Sequence, residues 1–459
     1  MPYQTAKDWS AMVSSDISPA MMTDMYEYTM LDAALKDGTA ARQSVFEVFT
    51  RHLPSGRRYG VMAGLGRILA YLRNFRLNDS ELAYLHDNHI VSSETVDYLS
   101  SFTFTGTIRA YREGEMFFAD SPILQVEGSF GECVLLETLV LSILNYDCSV
   151  ASAASRITSA AGGRPCADMG GRRISEYAAI AASRAAVVGG FASTANLAAA
   201  KLYGIPCIGT AAHAFTLVHD TECDAFTSQV SALGAKTTLL TDTYNIDDAI
   251  KTAVEVAGPG LGGIRIDSGD LASLAQRARH QLDALGATDT KITVTNDLDE
   301  YAIAALAAAP IDSYGVGTRL VTGSGHVTNN MVYKLVEREG TDGSMHPVAK
   351  KSFGKATDGW RKRAVRSYQY GLAQGEVVLA GDQVSLESCE LPAEYGDTRD
   401  LQITAVDHGS IDESLTTREA LFAAREYHLA ALRELPVSAL SLSDGEPAIP
   451  TQVITVSRG

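Results

Sequence analysis

The chain has 459 residues, enough for two or three domains around large cores, and its 46% hydrophobic and 20% charged content fits a folded globular protein rather than a disordered one. The net charge of −17 argues against nucleic acid or an anionic membrane surface as the main partner, so an anionic ligand must meet a locally basic site. Cys133, Cys148, Cys166, Cys207, Cys223 and Cys389 form no CxxC pair and read as reduced, mostly buried thiols of a cytoplasmic protein; no run approaches the roughly 18 apolar residues of a membrane span, and MPYQTAKDWSAMV has no apolar targeting core.

In chain order, residues 21–35 predict a helix capped near Thr23 or Asp24, with Tyr26, Met30 and Ala33 or Ala34 on one core-facing stripe. VFEVFT alternates as a strand through Phe49, turns at 54–56 and returns, and 107–128 holds further strands broken at Gly114 and Pro122. Helices are expected over 132–145 and 151–161. Residues 1–150 thus read as an α+β domain without a catalytic motif of its own.

From 151 to 328 the pattern becomes a repeat of strand and helix. Short strands are expected near Cys166, Cys207, Thr238, Ile264, Ile292 and Tyr314, spaced as in the βα units of a parallel sheet, and six of them favour an irregular α/β barrel over an open sheet. Each ends in polar or glycine-rich residues: MGGRR, GTAAH, TDTYN, RIDSGD, TNDLDE and GVGTR. That coincidence places the chemistry at one rim, because ligands of such folds bind at the C-terminal ends of the strands. Gly258, Gly260 and Gly263 match GxGxxG but follow a helix and precede a strand, the reverse of a dinucleotide-binding order.

Residues 329–459 turn to antiparallel strands that are expected to pack with the N-terminal domain. Lys350, Lys351, Lys355, Arg361, Lys362, Arg363 and Arg366 cluster there against Asp358 alone, as either a solvated strand face or a phosphate site. An amphipathic helix over 416–435 carries a capping box of Thr416 and Glu419, and the tail beyond Leu440 reads as peripheral.

The strand-end residues suit a phosphorylated sugar. Gly315, Gly317 and Thr318 can present N–H groups to a phosphate, and Arg265 and Arg319 can grip a carboxylate or phosphate through two oxygens. Asp267 can bond ribose hydroxyls or offset positive charge at a sugar carbon, and Ser268 and Gly269 permit close approach. His213 can be a general base, a metal ligand, a phosphoryl acceptor or a structural residue. No second His or Cys sits at ligand spacing, which argues against a zinc site.

TDMYEYTM, FEVFTRHLP, LLETLVLSILN, DMGGRR, GGFASTAN, GIPCIGTAAH, RIDSGDL, TNDLDE and YGVGTRLVT, in this order, closely resemble nicotinate phosphoribosyltransferases from about Thr23 to Arg366. The resemblance implies a type II phosphoribosyltransferase fold, a barrel with an additional α+β domain. It implies an ATP-coupled enzyme of NAD salvage: nicotinate, phosphoribosyl pyrophosphate, ATP and water give nicotinate mononucleotide, pyrophosphate, ADP and phosphate. By the same carry-over His213 is the residue phosphorylated by ATP, and Tyr26 stacks on nicotinate from the partner subunit of a homodimer. Thr210, Arg172 and Arg319 surround the pyridine carboxylate, while Arg265 and Asp267 serve the ribose and pyrophosphate. Gly317 and the 296–298 turn with Asp297 hold the 5′-phosphate, Thr357 lies near phosphoribosyl pyrophosphate, and Mg2+ accompanies ATP and pyrophosphate. Met169 stands where the family commonly has an aromatic, and Ser193-Thr194-Ala195-Asn196 replaces GTSN. Two alternatives stay open: a nicotinamide phosphoribosyltransferase, whose amide-binding carboxylate would fall near Ala195, and a non-catalytic nucleotide-binding homologue, although His213, Asp267 and Arg319 are all present.

Overall fold

The computed structural model describes residues 17–350 and 359–456. It falls into two units, Met1–Cys148 with Thr328–Gly459, and Ser149–Val327. The first is built on an antiparallel seven-stranded sheet in the order Met345–Pro347, Met331–Glu339, Gln43–Thr50, Leu124–Ser129, Thr107–Tyr111, Gln402–Asp407, Ser410–Ile411. Gln43–Thr50 is buried at every residue after Gln43 rather than alternating, because neighbours bond both its edges and side chains cover both its faces. The return after Pro54 does not pair with it; Gly60–Val61 pairs with Met116–Phe117 instead.

The helix Met25–Asp37 buries Glu27, Tyr28, Leu31 and Ala34 and leaves Tyr26 and Met30 exposed, so the expected stripe faces outward. Apolar residues occupy both faces of this helix, and the deeper face is chosen by Leu31 and by Tyr28, whose hydroxyl donates to Ala20 O at 2.7 Å. The helices expected over 132–145 and 151–161 are one helix, Glu137–Ala161, preceded by the short helix Phe130–Val134 with its Ser129–Glu132 capping box.

A second sheet orders Asp397–Asp400, Arg361–Gln369, Leu372–Gly381 and Thr451–Thr455. The tail is therefore structural: Thr451–Thr455 pairs in parallel with Leu372–Gly381. The cap of helix Arg418–Glu434 is Thr417, which accepts from Ala420 N at 3.1 Å, because Thr416 closes the preceding turn Glu413–Thr416.

Four residues of the basic cluster pair with carboxylates, three of them inside the protein. Arg361 donates to Glu337 (2.8 Å) and Glu127 (3.0 Å), Lys362 to Glu47 (2.8 Å), and Arg363 to Asp400 (2.7 and 3.0 Å). Arg366, fully buried, donates to Glu376 (2.8 Å) and to Met116 O (2.8 Å), with Glu115 at 3.5 Å and its guanidinium over the Phe118 ring. Burial alone would raise the Glu115 carboxyl, but Arg366 and Arg399 hold it below the ordinary value. Arg361, Lys362 and Arg366 are therefore not a solvated face, Arg363 is partly exposed, and each of the four is committed to a carboxylate. Lys351, Lys355, Thr357 and Asp358 lie outside the described residues.

The second unit carries six parallel strands: β1 Cys166–Asp168, β2 Ser193–Thr194, β3 Thr238–Leu240, β4 Gly263–Ile266, β5 Lys291–Val294 and β6 Ser313–Val316. Their order is β2-β1-β6-β5-β4-β3, and helices between successive strands bring each new strand in parallel. The outermost strands, β2 and β3, do not pair, so the barrel is a curled parallel sheet with one open side. The strand expected near Cys207 shrinks to a bridge between Cys207 and Thr194, and residues 206–210 are exposed. Pro206 has no N–H to give a ladder and Gly209 adds no side chain to a core, so this stretch borders the sheet instead of closing it. Of the cysteines, Cys133, Cys148 and Cys166 are buried, Cys207 and Cys223 exposed and Cys389 half-buried, so only half meet the expectation.

Candidate active site

The polar strand ends of the second unit converge. Met169, Arg172 and Arg173 after β1, Arg265 and Asp267 at the end of β4, Thr295 to Asp297 after β5, and Gly315, Gly317 and Thr318 at the end of β6 line a cavity of about 180 Å³. Two close approaches shape it. A Cβ on Gly315 would stand 2.6 Å from both Met169 Sδ and Thr295 Cγ2, so a side chain there would force both of these cavity residues to shift. Asn296 and Asp297 adopt φ of 103° and 45°, a left-handed pair of non-glycine residues that costs about 1–3 kcal/mol each and marks a turn held in place by its surroundings.

His213 begins the short helix His213–Leu217, past the exposed 206–210 stretch, with its side chain 39% exposed. Its Nδ1 lies 3.1 Å from Thr243 Oγ1, and its Nε2 faces Asp242 Oδ1 and Asp267 Oδ2, each at 3.9 Å. The tautomer in which Nδ1 donates to Thr243 leaves the lone pair on Nε2, whereas the two carboxylates themselves favour a proton there. Asp242 is nearly buried; its Oδ2 accepts from Asp267 N (2.8 Å) and Ser268 Oγ (2.7 Å), while its Oδ1 is buried without a hydrogen-bond partner. Asp267 Oδ1 takes the Thr295 hydroxyl. Gly269 follows with φ 83°, which lets the chain turn directly into helix Leu271–Ala284.

Arg265 donates to Thr210 Oγ1 (2.8 Å) and Ala211 O (3.1 Å), tying β4 to the stretch that carries His213, and its Nε is buried with no partner. Burial holds its guanidinium below the ordinary value; Asp267 and Asp242 oppose that shift and Arg172 adds to it. Arg172, Arg173 and Arg319 are exposed and form no ion pair. The partly unsatisfied Arg265 and three guanidiniums without an ion pair suit this rim to anions.

The structure thus gathers Arg172, Thr210, His213, Arg265, Asp267, Ser268, Gly269, Asp297, Gly317 and Thr318 at one end of the sheet, with Arg319 on the adjoining helix Thr318–Val321. Tyr26 belongs to the first unit, 42% exposed beside Met22, Met25 and Met30, and Thr357 lies outside the described residues. Sequence reasoning passed over Asp242 and Thr243 as individual residues, although the strand-end motif TDTYN contains both. Among the described residues no group of three or more His, Cys, Asp and Glu is arranged to hold a metal by itself, and no helix is long and apolar enough to cross a membrane.

Residues 21–145 match the nicotinate phosphoribosyltransferase N-terminal domain, and residues 165–384 match the nicotinate phosphoribosyltransferase family. The chain is 51% identical over 445 residues to nicotinate phosphoribosyltransferase pncB1 of Mycobacterium tuberculosis, covering 95% of each chain. It is 37% identical over 362 residues to the nicotinate phosphoribosyltransferase of Bacillus subtilis, covering 76% of this chain and 74% of that one. The crystal structure of human nicotinic acid phosphoribosyltransferase superposes with a TM-score of 0.78 at 24% identity over 94% of this chain and 97% of that one, a likeness of fold. On the extent and identity of these matches, the chain belongs to the nicotinate phosphoribosyltransferase family.

Proposed function

We propose that this chain makes nicotinate mononucleotide from nicotinate and phosphoribosyl pyrophosphate in NAD salvage, coupled to ATP through a phosphorylated His213. The observation that carries the reading is His213 Nε2 facing Asp242 and Asp267 beside a cavity with unpaired arginines. In the first half-reaction Nε2 attacks the γ-phosphorus of ATP, the bond to the bridging oxygen breaks, and ADP leaves with that electron pair. The phosphoryl group adds roughly two negative charges by analogy with phosphorylated hydroxyls. Water later cleaves the N–P bond and releases phosphate.

In the second, the ring nitrogen of nicotinate forms a bond to the anomeric carbon as pyrophosphate departs. Positive charge builds on the ribose beside Asp267, and negative charge on the leaving group toward Arg265. The 296–298 turn, Gly317 and Thr318 take the 5′-phosphate, with Ser268 and Gly269 giving close backbone approach and Thr357 assigned to the same substrate by family likeness. Arg172, Arg319 and Thr210 take the pyridine carboxylate. Mg2+ fits Asp242 and Asp267, since Asp242 Oδ1 is a buried carboxylate oxygen without a hydrogen-bond partner, and when bound it would offset phosphate and pyrophosphate charge. Nicotinate is favoured over nicotinamide because the side chain at Ala195 is a methyl that accepts no hydrogen bond, while the rim supplies cations for a carboxylate. Tyr26, exposed on its helix, is assigned to the base pocket of a partner subunit in a cytoplasmic homodimer.

Nicotinate mononucleotide formation with and without ATP tests the reading. His213→Ala is expected to abolish labelling by γ-labelled ATP and all ATP stimulation. A variant that still labels and responds to ATP would place the phosphoryl acceptor elsewhere, and equal turnover of nicotinate and nicotinamide would remove the substrate assignment.

A further inference from the structure

A carboxylate with no part in the chemistry above lies beneath the rim. Asp168, the last residue of β1, is 2% exposed and has no cationic partner. Its Oδ1 accepts from Gly170 N at 2.9 Å, and its Oδ2 from Ser183 Oγ at 2.6 Å and Thr194 Oγ1 at 2.8 Å. A buried carboxylate without a cation survives only if donors satisfy it, so these three bonds are strongly enforced. Each donor belongs to a different piece of the site's scaffold. Gly170 opens the turn that sets Met169, Arg172 and Arg173 on the cavity wall. Ser183 lies in helix Glu176–Val188, which starts just past those arginines. Thr194 is β2, whose N–H donates to Pro206 O (3.0 Å) and whose carbonyl accepts from Ile208 N (2.9 Å), at the root of the stretch leading to Thr210 and His213. The Thr194 hydroxyl also accepts from Asn196 N at 3.0 Å, joining the cap of helix Leu197–Tyr203 to the same point.

We infer that Asp168 is a positioning residue for nicotinate: it fixes the 169–173 wall against the 205–213 stretch, an inference that rests on the nicotinate reading of the site. Of the groups assigned to the other substrate, Arg265, Asp267, Ser268, Gly269 and Asp297 hang from β4 and β5 and are fixed separately, through Asp242 and Thr295, while Gly317 and Thr318 follow β6, the neighbour of β1. Loosening Asp168 therefore acts on the base more than on the ribose and pyrophosphate.

Asp168→Asn keeps the size of the side chain and an acceptor for Gly170 N. Ser183 Oγ has a second acceptor in Ala179 O at 3.0 Å, so the hydroxyls can turn to meet the new amide. The expected result is a rise of about tenfold in both the KM for nicotinate and its calorimetric Kd, the size of one imperfect buried hydrogen bond. The KM for phosphoribosyl pyrophosphate stays within about twofold. Thr194→Val, which removes the Asp168 bond on the side of 205–213 together with the hydroxyl's contacts to Ser183 Oγ and Asn196 N, shifts nicotinate affinity in the same direction and carries the test if the asparagine variant does not fold. Unchanged nicotinate affinity in a folded variant overturns the inference. So does a parallel rise in both KM values that tracks a fall in melting temperature, since that describes a purely structural residue. Wild-type protein that neither binds nor turns over nicotinate overturns the functional reading itself, whereas an active wild type with an unaltered variant overturns this inference alone.

Discussion

Arg366 and Arg172 carry the same group in opposite settings. Arg366 is fully buried among Glu115, Glu376, a carbonyl and the face of Phe118, and the network extends through Arg399 and Tyr427 to the second Glu115 oxygen, each at 2.5 Å. Arg172, with Arg173 and Arg319, stands exposed at a rim without an ion pair. In a chain of net charge −17, carboxylates to neutralise a guanidinium are plentiful, so an arginine left unpaired beside a cavity has been kept from them. Buried pairs such as Arg366 with Glu376, and Arg156 with Glu300 in the second unit, serve the fold, whereas the unpaired arginines suit the rim to anionic ligands.

Breaking the paired side should have the largest effect. Arg366→Met leaves Glu115 and Glu376 buried with less compensation and is expected to cost about 3–5 kcal/mol in denaturant unfolding. A loss below about 1 kcal/mol would mean that water or rearrangement already serves those carboxylates.

Arg319→Ala is the converse. With no partner to strand, it should leave the melting temperature unchanged while costing about 1.5–3 kcal/mol of nicotinate binding, the worth of a hydrogen bond to a charged group. Steady-state kinetics with nicotinate varied reads this out, and wild-type KM would take the residue out of its assigned role.

Glu27 lies between the two cases, buried and with no cation. Burial pushes its carboxyl up to about 7, against the bonds it accepts from Thr138, whose N–H lies 2.8 Å from Oε1. A carboxyl raised in the folded state binds its proton more tightly there than in the unfolded chain. Its stabilising contribution is therefore complete below about pH 4.5 and lost as pH rises through about 7. Glu27→Gln should flatten that slope, a difference on the order of 3 kcal/mol across the window. Parallel stability–pH curves for the two proteins would show that Glu27 does not titrate there.

The smallest effect belongs to Arg363, next to the buried network in sequence but paired with an Asp400 that is mostly exposed. Arg363→Ala should cost about 0.2–1 kcal/mol, and less at high salt. A cost near that of Arg366→Met would erase the distinction between buried and exposed pairs.

The rhythm of the second unit was legible because each strand is a short apolar run ending in residues that cannot continue it, as at RIDSGD and GVGTR. Local pattern failed where long-range pairing decided. The partners of Arg361, Lys362 and Arg366 include Glu127, Glu47 and Glu115, 234, 315 and 251 residues away, so a neutralised core network looked like a basic patch. At 205–209 an apolar run suggested a sixth full strand, and Ser193–Thr194, too short and polar to register as a strand, takes the sheet position beside β1. In the site, His213, Asp267 and the arginines stood out by residue type. Asp242 did not, because its role depends on which way two strand ends face one another: its Oδ2 holds Asp267 N while its Oδ1 turns to the imidazole.

The strand Thr451–Thr455 has a consequence for handling the protein. It covers the edge of Leu372–Gly381, whose residues Val377 to Ala380 are buried. Removing it would uncover a row of unpaired N–H and C=O groups next to apolar side chains, a template for strand addition from another molecule. Shortened chains ending before Thr451 are thus candidates for aggregation during expression even with every active-site residue intact, and affinity tags are better joined through a spacer than fused onto that strand.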